Sequence, residues 1–138
     1  MRYFFYGTLM DRTVLAAVLG HNPPPAASRP ASLDGYRRVF RAGASYPVLV
    51  PAAGEVVAGI VVDGLGQGDR RRLEAFEGSD YVSREMPVRL GRGRLAAAWV
   101  FMPRPLLPVS ATPWSPADWR RRYRRQYLQR MARSGRPG

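Results

Sequence analysis

Alternating and continuous runs of apolar residues along the chain predict six β-strands. Residues 2–6 form an aromatic run that is typical of a buried strand, and this run stops at Gly7. Apolar and polar positions alternate over residues 81–90, which predicts a strand with one buried face. The other predicted strands cover residues 32–41, 46–50, 55–62 and 95–102, with a turn at 51–54 between the second and third of these.

Three segments have the polar caps and apolar spacing of helices. The first begins at Asp11, which can cap it, and Gly20 is placed to end it. The second is expected to begin at Asp69 as its cap and to end at Gly78. The third covers residues 115–133, because its start, Ser-Pro-Ala-Asp, supplies a cap, a proline at the first position and an acid in the first turn.

The third predicted helix carries an aromatic stripe. Trp119, Tyr123, Tyr127 and Met131 recur every four residues, so they share one face, and arginines occupy the other faces. We expect the stripe to pack into the core or an interface rather than to stack on a ligand.

These elements predict a compact α+β fold around a mostly antiparallel, barrel-like sheet. The length suits one domain, and neither an internal repeat nor an interdomain linker is visible. We therefore expect a single domain over residues 1–138. It would comprise a core at about 1–102, a proline-rich loop at 103–114 and a basic C-terminal helix at 115–133.

The chain contains no cysteine and a single histidine, which limits the chemistry that it can support. Disulfides, thiolate nucleophiles and thiolate metal sites are excluded. His21 adjoins a run of prolines, so we interpret it as a solvated loop residue. Any reaction must therefore use carboxylates, hydroxyls, arginines and backbone amides, and we expect neither a metal site nor a cofactor.

The net charge of +12 raises the possibility of a nucleic-acid partner. All 22 basic residues are arginine, and alanine, glycine and proline are abundant, a composition that a GC-rich genome alone would produce. The residues from Arg104 onward contribute +8 of the +12, so the charge is mainly C-terminal. No apolar run approaches the roughly 18 residues that cross a bilayer. Since no signal-peptide pattern is visible either, we expect a cytoplasmic protein without a membrane partner.

Tyr6-Gly7-Thr8-Leu9 is the first segment that carries candidate chemistry. Here a buried strand turns at a glycine and leads into a capped helix. Successive backbone N–H groups in such a turn can bind a carboxylate or a developing oxyanion. Turns of this kind are common, so the pattern by itself also fits an ordinary connection.

Glu77 is the second candidate, at the end of the second predicted helix. The partial negative charge of a helix C-terminus and the apolar ring of Phe76 would both raise the pKa of its carboxyl. A raised pKa suits a general base that works near neutral pH. An exposed glutamate that pairs with Arg84 or a helix arginine fits the pattern equally well.

Several short motifs follow one another in a characteristic order: FFYGTL at residues 4–9, Tyr46-Pro47, VAG at 57–59, and LEAFEG at 73–78 with Tyr81 and Arg84. This set resembles the γ-glutamylcyclotransferase-like superfamily. It is most similar to the short bacterial and plant branch that includes γ-glutamylamine cyclotransferases and avirulence-induced-gene-like proteins. The motifs cover residues 3 to about 102, and the resemblance implies a small β-barrel flanked by helices.

The resemblance also implies a reaction and residue roles. A γ-glutamyl amine or amide would be cyclised to 5-oxoproline with release of the free amine, and Glu77 would be the metal-independent general acid/base. The substrate-binding residues would be Tyr6, Gly7, Thr8, Leu9, Tyr81 and Arg84. Loop amides would hold the α-carboxylate or the oxyanion, and Tyr81 would hydrogen-bond Glu77 or the substrate. Arg84 would hold an acidic group or form a structural pair.

Two alternatives stay open. The first is a member of the same fold that binds a small molecule without turning it over. The second is a basic nucleic-acid-binding barrel, because the C-terminal helix mixes aromatics with arginines as phosphate-binding surfaces do. The separate aromatic stripe argues against the second alternative, so the expected partner is a small γ-glutamyl molecule.

Overall fold

The computed structural model describes residues 1–134, and residues 135–138 of the predicted domain lie outside the described residues. Its strands are β1 (Tyr3–Phe5), β2 (Ser28–Arg41), β3 (Pro47–Val62), β4 (Tyr81–Arg89), β5 (Leu95–Pro103) and β6 (Val109–Pro113). Its α-helices are α1 (Arg12–Leu19), α2 (Gln67–Glu77), α3 (Pro116–Arg122) and α4 (Arg124–Ser134). None of the helices in this part of the chain is both long and apolar enough to cross a bilayer.

Strands β1 to β5 close into a barrel. Their order is β3-β1-β5-β4-β2, and β2 also pairs with β3, which completes the ring. The β1–β5 pairing is parallel and the other four barrel pairings are antiparallel, while β6 pairs with β2 outside the ring. The predicted fold class, an α+β fold around a mostly antiparallel barrel with flanking helices, is confirmed.

Two hydrophobic clusters lie on the two faces of the barrel wall. The first, which includes Phe4, Val61 and Val100, contains strand and strand-end residues without any helix residue and fills the barrel. The second joins the opposite face of the strands, including Tyr3 and Phe101, to the helices. The split follows from the alternation of side chains along a strand. The helices therefore pack against the outer surface of β1 and β5.

Local capping signals in the sequence are confirmed at two helices. The Asp11 carboxylate accepts the N–H of Val14 at 3.2 Å, and Gly20, with φ 78°, ends α1 in the left-handed conformation. The Ser115 hydroxyl accepts the N–H of Asp118 at 3.1 Å at the start of α3.

Two predicted helix boundaries are wrong. Helix α2 begins at Gln67, because the N–H of Gly66 donates to the Asp69 carboxylate at 2.9 Å and Asp69 thus acts from the third helical position. The predicted C-terminal helix breaks into α3 and α4 at Tyr123, whose φ of −123° lies outside the helical range. The Tyr123 ring packs edge-on against Phe40, with the ring centroids 6.3 Å apart.

The predicted turn at 51–54 is wrong, because β3 continues through it. Both halves of β3 pair with β2, with an irregularity between Asp34 and Tyr36. Gly35 and Gly54, with φ of 83° and 80°, lie on the two strands at this point. Glycine adopts these left-handed angles without strain, so the strand pair absorbs extra residues without ending.

The predicted loop at 103–114 contains a strand, β6. Val109 pairs with Arg41 and Pro113 pairs with Val39. Proline lacks an N–H donor, but Pro113 is the last residue of a strand added at the side of the barrel, a position where proline is tolerated. The proline content therefore did not prevent strand formation.

Candidate active site

A cavity of about 250 Å³ opens where β1 ends, and residues from both hydrophobic clusters line it. The predicted site residues Tyr6, Gly7, Thr8, Leu9, Glu77 and Tyr81 all line it. Aromatic rings complete its walls, from Tyr46 before β3, Phe76 in α2, Phe101 in β5 and Tyr127 in α4. The site thus combines the ends of strands that are distant in sequence with the C-terminus of α2 and the first turn of α4.

The loop after β1 presents unpaired backbone donors to this cavity. A tight turn at Thr8–Met10 is closed by the N–H of Met10, which donates to the Gly7 carbonyl at 3.0 Å. Within residues 1–134, no group accepts a hydrogen bond from the N–H of Gly7, Thr8 or Leu9. Three successive free donors in a turn form a site suited to an anion or an oxyanion.

Gly7 is required for the path of this loop. A Cβ at this position would lie 2.8 Å from the Pro47 Cγ, which is closer than real Cβ contacts allow. The absence of a side chain lets the loop pack directly against the start of β3. The packing brings the free N–H groups of the loop beside Tyr46, whose ring lines the same cavity.

Glu77 is the last residue of α2, and its carboxyl is partly buried in the cavity wall. Among the described residues, none donates a hydrogen bond to this carboxyl or forms an ion pair with it. Burial raises its pKa from 4.5 to about 8, because the charged form loses water and gains no partner. The expectation of a raised pKa at this position agrees with the structure, and burial is its main cause.

Tyrosine hydroxyls surround Glu77, but three of them donate their protons elsewhere. The Tyr6 hydroxyl donates to the carbonyl of Phe101, and the Tyr81 hydroxyl donates to the carbonyl of Pro47 at 2.6 Å. The Tyr46 hydroxyl donates at 2.7 Å to Asp80, which also accepts from Arg41 at 3.0 Å. Burial, with a smaller contribution from Glu77, raises the pKa of Tyr6. Of the two roles predicted for Tyr81, a hydrogen bond to Glu77 is not present among the described residues, and a hydrogen bond to the substrate stays a prediction.

The comparison with known proteins assigns the chain to a family. The sequence profile of the family described as Gamma-glutamyl cyclotransferase, AIG2-like matches residues 3–121. The chain belongs to this family. Within it, a curated relative, AIG2-like protein D of Arabidopsis thaliana, is 31% identical over 87 residues. The match covers 63% of this chain and 55% of that protein, so it spans about half the relative's length.

Solved structures share the fold of this AIG2-like chain. A solution structure of an Arabidopsis thaliana protein has a TM-score of 0.68 at 23% identity and covers 99% of this chain and 94% of that one. A structure described as Gamma-glutamyl cyclotransferase has a TM-score of 0.65 at 18% identity. The match covers 95% of this chain and 85% of that one. At these identities the likeness concerns the fold alone.

Tyr127 is a cavity residue of this family member that the sequence did not single out. Its position in the aromatic stripe predicted packing, and its ring does lie edge-on to the buried Trp119, 5.6 Å between centroids. The same ring also forms a wall of the cavity. Burial, followed by the nearby Glu77, raises the pKa of Tyr127 to about 12. Four-residue spacing identified the stripe but carries no signal for which member reaches the site.

Arg84 is not brought to the cavity of the AIG2-like chain. It lies exposed on β4, three residues beyond Tyr81. Successive side chains of a strand point to opposite faces, so an odd offset separates the two residues. Among residues 1–134, no three histidine or carboxylate side chains come close enough together to hold a metal ion.

Proposed function

We propose that this chain is an enzyme that cyclises γ-glutamyl amines or amides to 5-oxoproline and releases the free amine. Glu77 acts as general acid and base, and the N–H groups of Gly7, Thr8 and Leu9 bind the substrate. Membership of the γ-glutamyl cyclotransferase, AIG2-like family supports this class of reaction. The contents of the cavity support the assignment of the residues.

The reaction takes place within one substrate molecule. Its α-amino nitrogen attacks the carbonyl carbon of its own side-chain amide and closes a five-membered ring. The tetrahedral intermediate then breaks the bond from this carbon to the leaving nitrogen, so the amine departs. Because both reacting groups belong to one molecule, the enzyme has only to fold the substrate and to move protons.

Glu77 carries protons from the α-nitrogen to the leaving nitrogen. Its carboxylate takes a proton as the α-nitrogen attacks, and the resulting acid returns the proton to the departing amine, which restores the carboxylate. The loop N–H groups hold the α-carboxylate of the substrate while this happens. Protons balance over the cycle, and the step needs no oxidant or reductant.

One observation carries the proposal: a carboxyl without a hydrogen-bond donor lies in the same cavity as three unpaired backbone N–H groups. Its pKa of about 8 means that both protonation states are populated near neutral pH. A group that must both take and return a proton works best under this condition. A glutamate that served stability alone would gain from a partner, and this one has none among the described residues.

The test is a mass-spectrometric assay for 5-oxoproline with γ-glutamyl amines, γ-glutamyl amino acids and glutathione as substrates. The wild type should release 5-oxoproline from at least one of them. Glu77→Gln keeps the side-chain size and removes the base, so the rate should fall by about 100-fold or more. The matched control is Glu74→Gln on the same helix, whose side chain is exposed and pairs with Arg70 at 3.5 Å. This control should keep the wild-type rate.

Equal release by the wild type and Glu77→Gln would remove Glu77 from the mechanism. A wild type that binds γ-glutamyl compounds without releasing 5-oxoproline would favour the non-catalytic alternative. The nucleic-acid alternative has less support, because Trp119 is buried and Arg124 pairs with Asp11 at 2.6 Å instead of facing a phosphate. Binding of RNA or DNA by both the wild type and Glu77→Gln would restore it.

A further inference from the structure

Arg38 places an unneutralised positive charge directly behind the loop that presents the free N–H groups. It lies on β2 and is partly buried, and among the described residues no carboxylate pairs with its guanidinium. Its Nη1 donates to the carbonyls of Tyr6 and Ala58, both at 3.0 Å. The ring of Trp114 lies 5.8 Å from the guanidinium carbon and covers it. Burial lowers the pKa of Arg38, yet an arginine stays charged at any physiological pH.

A half-buried arginine without a counter-ion is costly for a purely structural contact. A neutral donor would satisfy the two carbonyl oxygens at a lower desolvation cost. This desolvation cost is offset when an anionic ligand binds nearby and is attracted by the positive charge of Arg38. The position of Arg38 indicates which part of the cavity would use it.

The contact with Tyr6 fixes the direction of a neighbouring donor. In a trans peptide unit the carbonyl oxygen and the next N–H point in opposite directions. Since the Tyr6 oxygen points toward Arg38, the N–H of Gly7 points away from it. This N–H is the first of the three that have no acceptor within residues 1–134 and whose residues line the cavity. A hydrogen bond to the carbonyl also polarises the peptide unit, which strengthens the Gly7 N–H as a donor.

The second hydrogen bond of Arg38, to the Ala58 carbonyl, connects the loop after β1 to strand β3. Ala58 precedes Gly59, where a Cβ would lie 2.3 Å from the Phe5 carbonyl oxygen. Strand β3 and the end of β1 are therefore in close contact at this point. Arg38 links the carbonyl on β3 to the carbonyl at the loop entry, so the loop cannot rotate without breaking one of the two hydrogen bonds.

We propose that Arg38 is a positioning residue that aims the Gly7 N–H into the cavity and adds positive charge to a site for the α-carboxylate of a γ-glutamyl substrate. This inference rests on the proposed function and specifies how the loop recognises the glutamyl end. Arg38 acts through the peptide unit between Tyr6 and Gly7 and does not itself line the cavity. A carboxylate bound to the loop would feel both the polarised N–H and the charge behind it.

The test compares two ligands that differ only in the carboxylate. The first ligand, 5-oxoproline, carries the α-carboxylate of the substrate, and the second, 2-pyrrolidinone, is the same lactam ring without it. Their binding to the wild type and to Arg38→Met would be measured by NMR titration. We expect Arg38→Met to weaken 5-oxoproline binding about tenfold or more, as for loss of a charge-assisted interaction. Binding of 2-pyrrolidinone should change less than about twofold.

Matched variants separate charge from folding. Arg37 is the exposed neighbour on the same strand, so Arg37→Met should bind both ligands as the wild type does. Arg38→Lys keeps the charge and should recover part of the 5-oxoproline affinity. Arg38→Gln keeps an N–H donor and removes the charge, so it replaces Arg38→Met in the comparison if the methionine variant fails to fold.

The outcomes distinguish the inference from the proposed function. Equal weakening of both ligands by Arg38→Met would reduce Arg38 to a structural residue, and unchanged binding of both would remove its role altogether. Either result would leave the 5-oxoproline assay of the wild type untouched. A wild type that neither binds 5-oxoproline nor releases it from any substrate would instead overturn the proposed function, and the role of Arg38 with it.

Discussion

Replacing Glu77 with glutamine should stabilise the folded protein progressively, relative to the wild type, as the pH rises from about 5 to about 9. The folded protein holds the Glu77 carboxyl with a pKa of about 8, against 4.5 for an ordinary glutamate. Between these values the folded state binds more protons than the unfolded state, so the stability of the wild type falls as the pH rises. The contribution of the protonated carboxyl is complete below about 4.5 and is lost as the pH passes through about 8.

The magnitude follows from the difference between the two pKa values. Each pH unit of difference corresponds to about 1.4 kcal/mol, which gives at most about 5 kcal/mol over the whole range. Glu77 is only partly buried, so water reaches the charged form and the effective dielectric constant is closer to 20 than to 4. We therefore expect a gain of about 2–3 kcal/mol for Glu77→Gln relative to the wild type.

The assay is urea unfolding of the wild type and Glu77→Gln at pH 5, 6, 7, 8 and 9. The two free energies of unfolding should diverge above pH 5, most steeply near pH 6, midway between the two pKa values. The matched control, Glu74→Gln, removes one charge from an exposed position of the same helix and should follow the slope of the wild type. Parallel curves for Glu77→Gln and the wild type would refute the conclusion that burial controls this carboxyl.

Three further predictions concern the site and the packing beneath it. Since Glu77 must be ionised to accept a proton, kcat/KM for 5-oxoproline release should rise with pH and level off above about 8; a flat profile from pH 6 to 9 would contradict this. Tyr127→Ala removes a cavity wall and should raise KM about tenfold in the same assay, whereas Tyr127→Phe keeps the ring and should stay within about threefold. Gly59→Ala places a Cβ 2.3 Å from the Phe5 oxygen and should cost about 2 kcal/mol or more in urea unfolding. The control Gly91→Ala, with no atom within 4 Å, should cost less than about 0.5 kcal/mol.

Elements whose signals are local could be predicted from the sequence. Asp11 and Gly20 determine the two ends of α1 through hydrogen bonds within a few residues. The errors occur where pairing with a distant strand decides the outcome. Residues 51–54 have the composition of a turn, yet β2 continues opposite them, and β6 forms because β2 offers a free edge to residues 109–113. The propensities of a single segment do not report such a partner.

The candidate site shows the same division between local and distant information. The loop from Tyr6 to Leu9 and the helix end at Glu77 were candidates from their own residues and received their roles from the family resemblance. The structure brings both to one cavity. The error at Arg84 was avoidable, because its odd offset from Tyr81 already places the two residues on opposite faces of β4. Tyr127 and Arg38 could not have been found from the sequence, since Tyr127 lies 50 positions from Glu77 and the hydrogen bonds of Arg38 span 32 and 20 positions. Only the closed barrel establishes those contacts.

The hydrogen bonds of the tyrosine hydroxyls explain why the Glu77 carboxyl keeps a raised pKa although several hydroxyl groups lie around its cavity. A hydroxyl has one proton to donate, and a carboxylate gains stability only from hydroxyls that donate to it. Tyr6 and Tyr81 donate to backbone carbonyls, and Tyr46 donates to Asp80, so these rings reduce the hydration of Glu77 without stabilising its charge. The Asp80 carboxylate, with two donors, has a lowered pKa, whereas Glu77, without any described donor, has a raised one. Two acidic groups three residues apart are thus set for different tasks, and only Glu77 is able to exchange a proton near neutral pH.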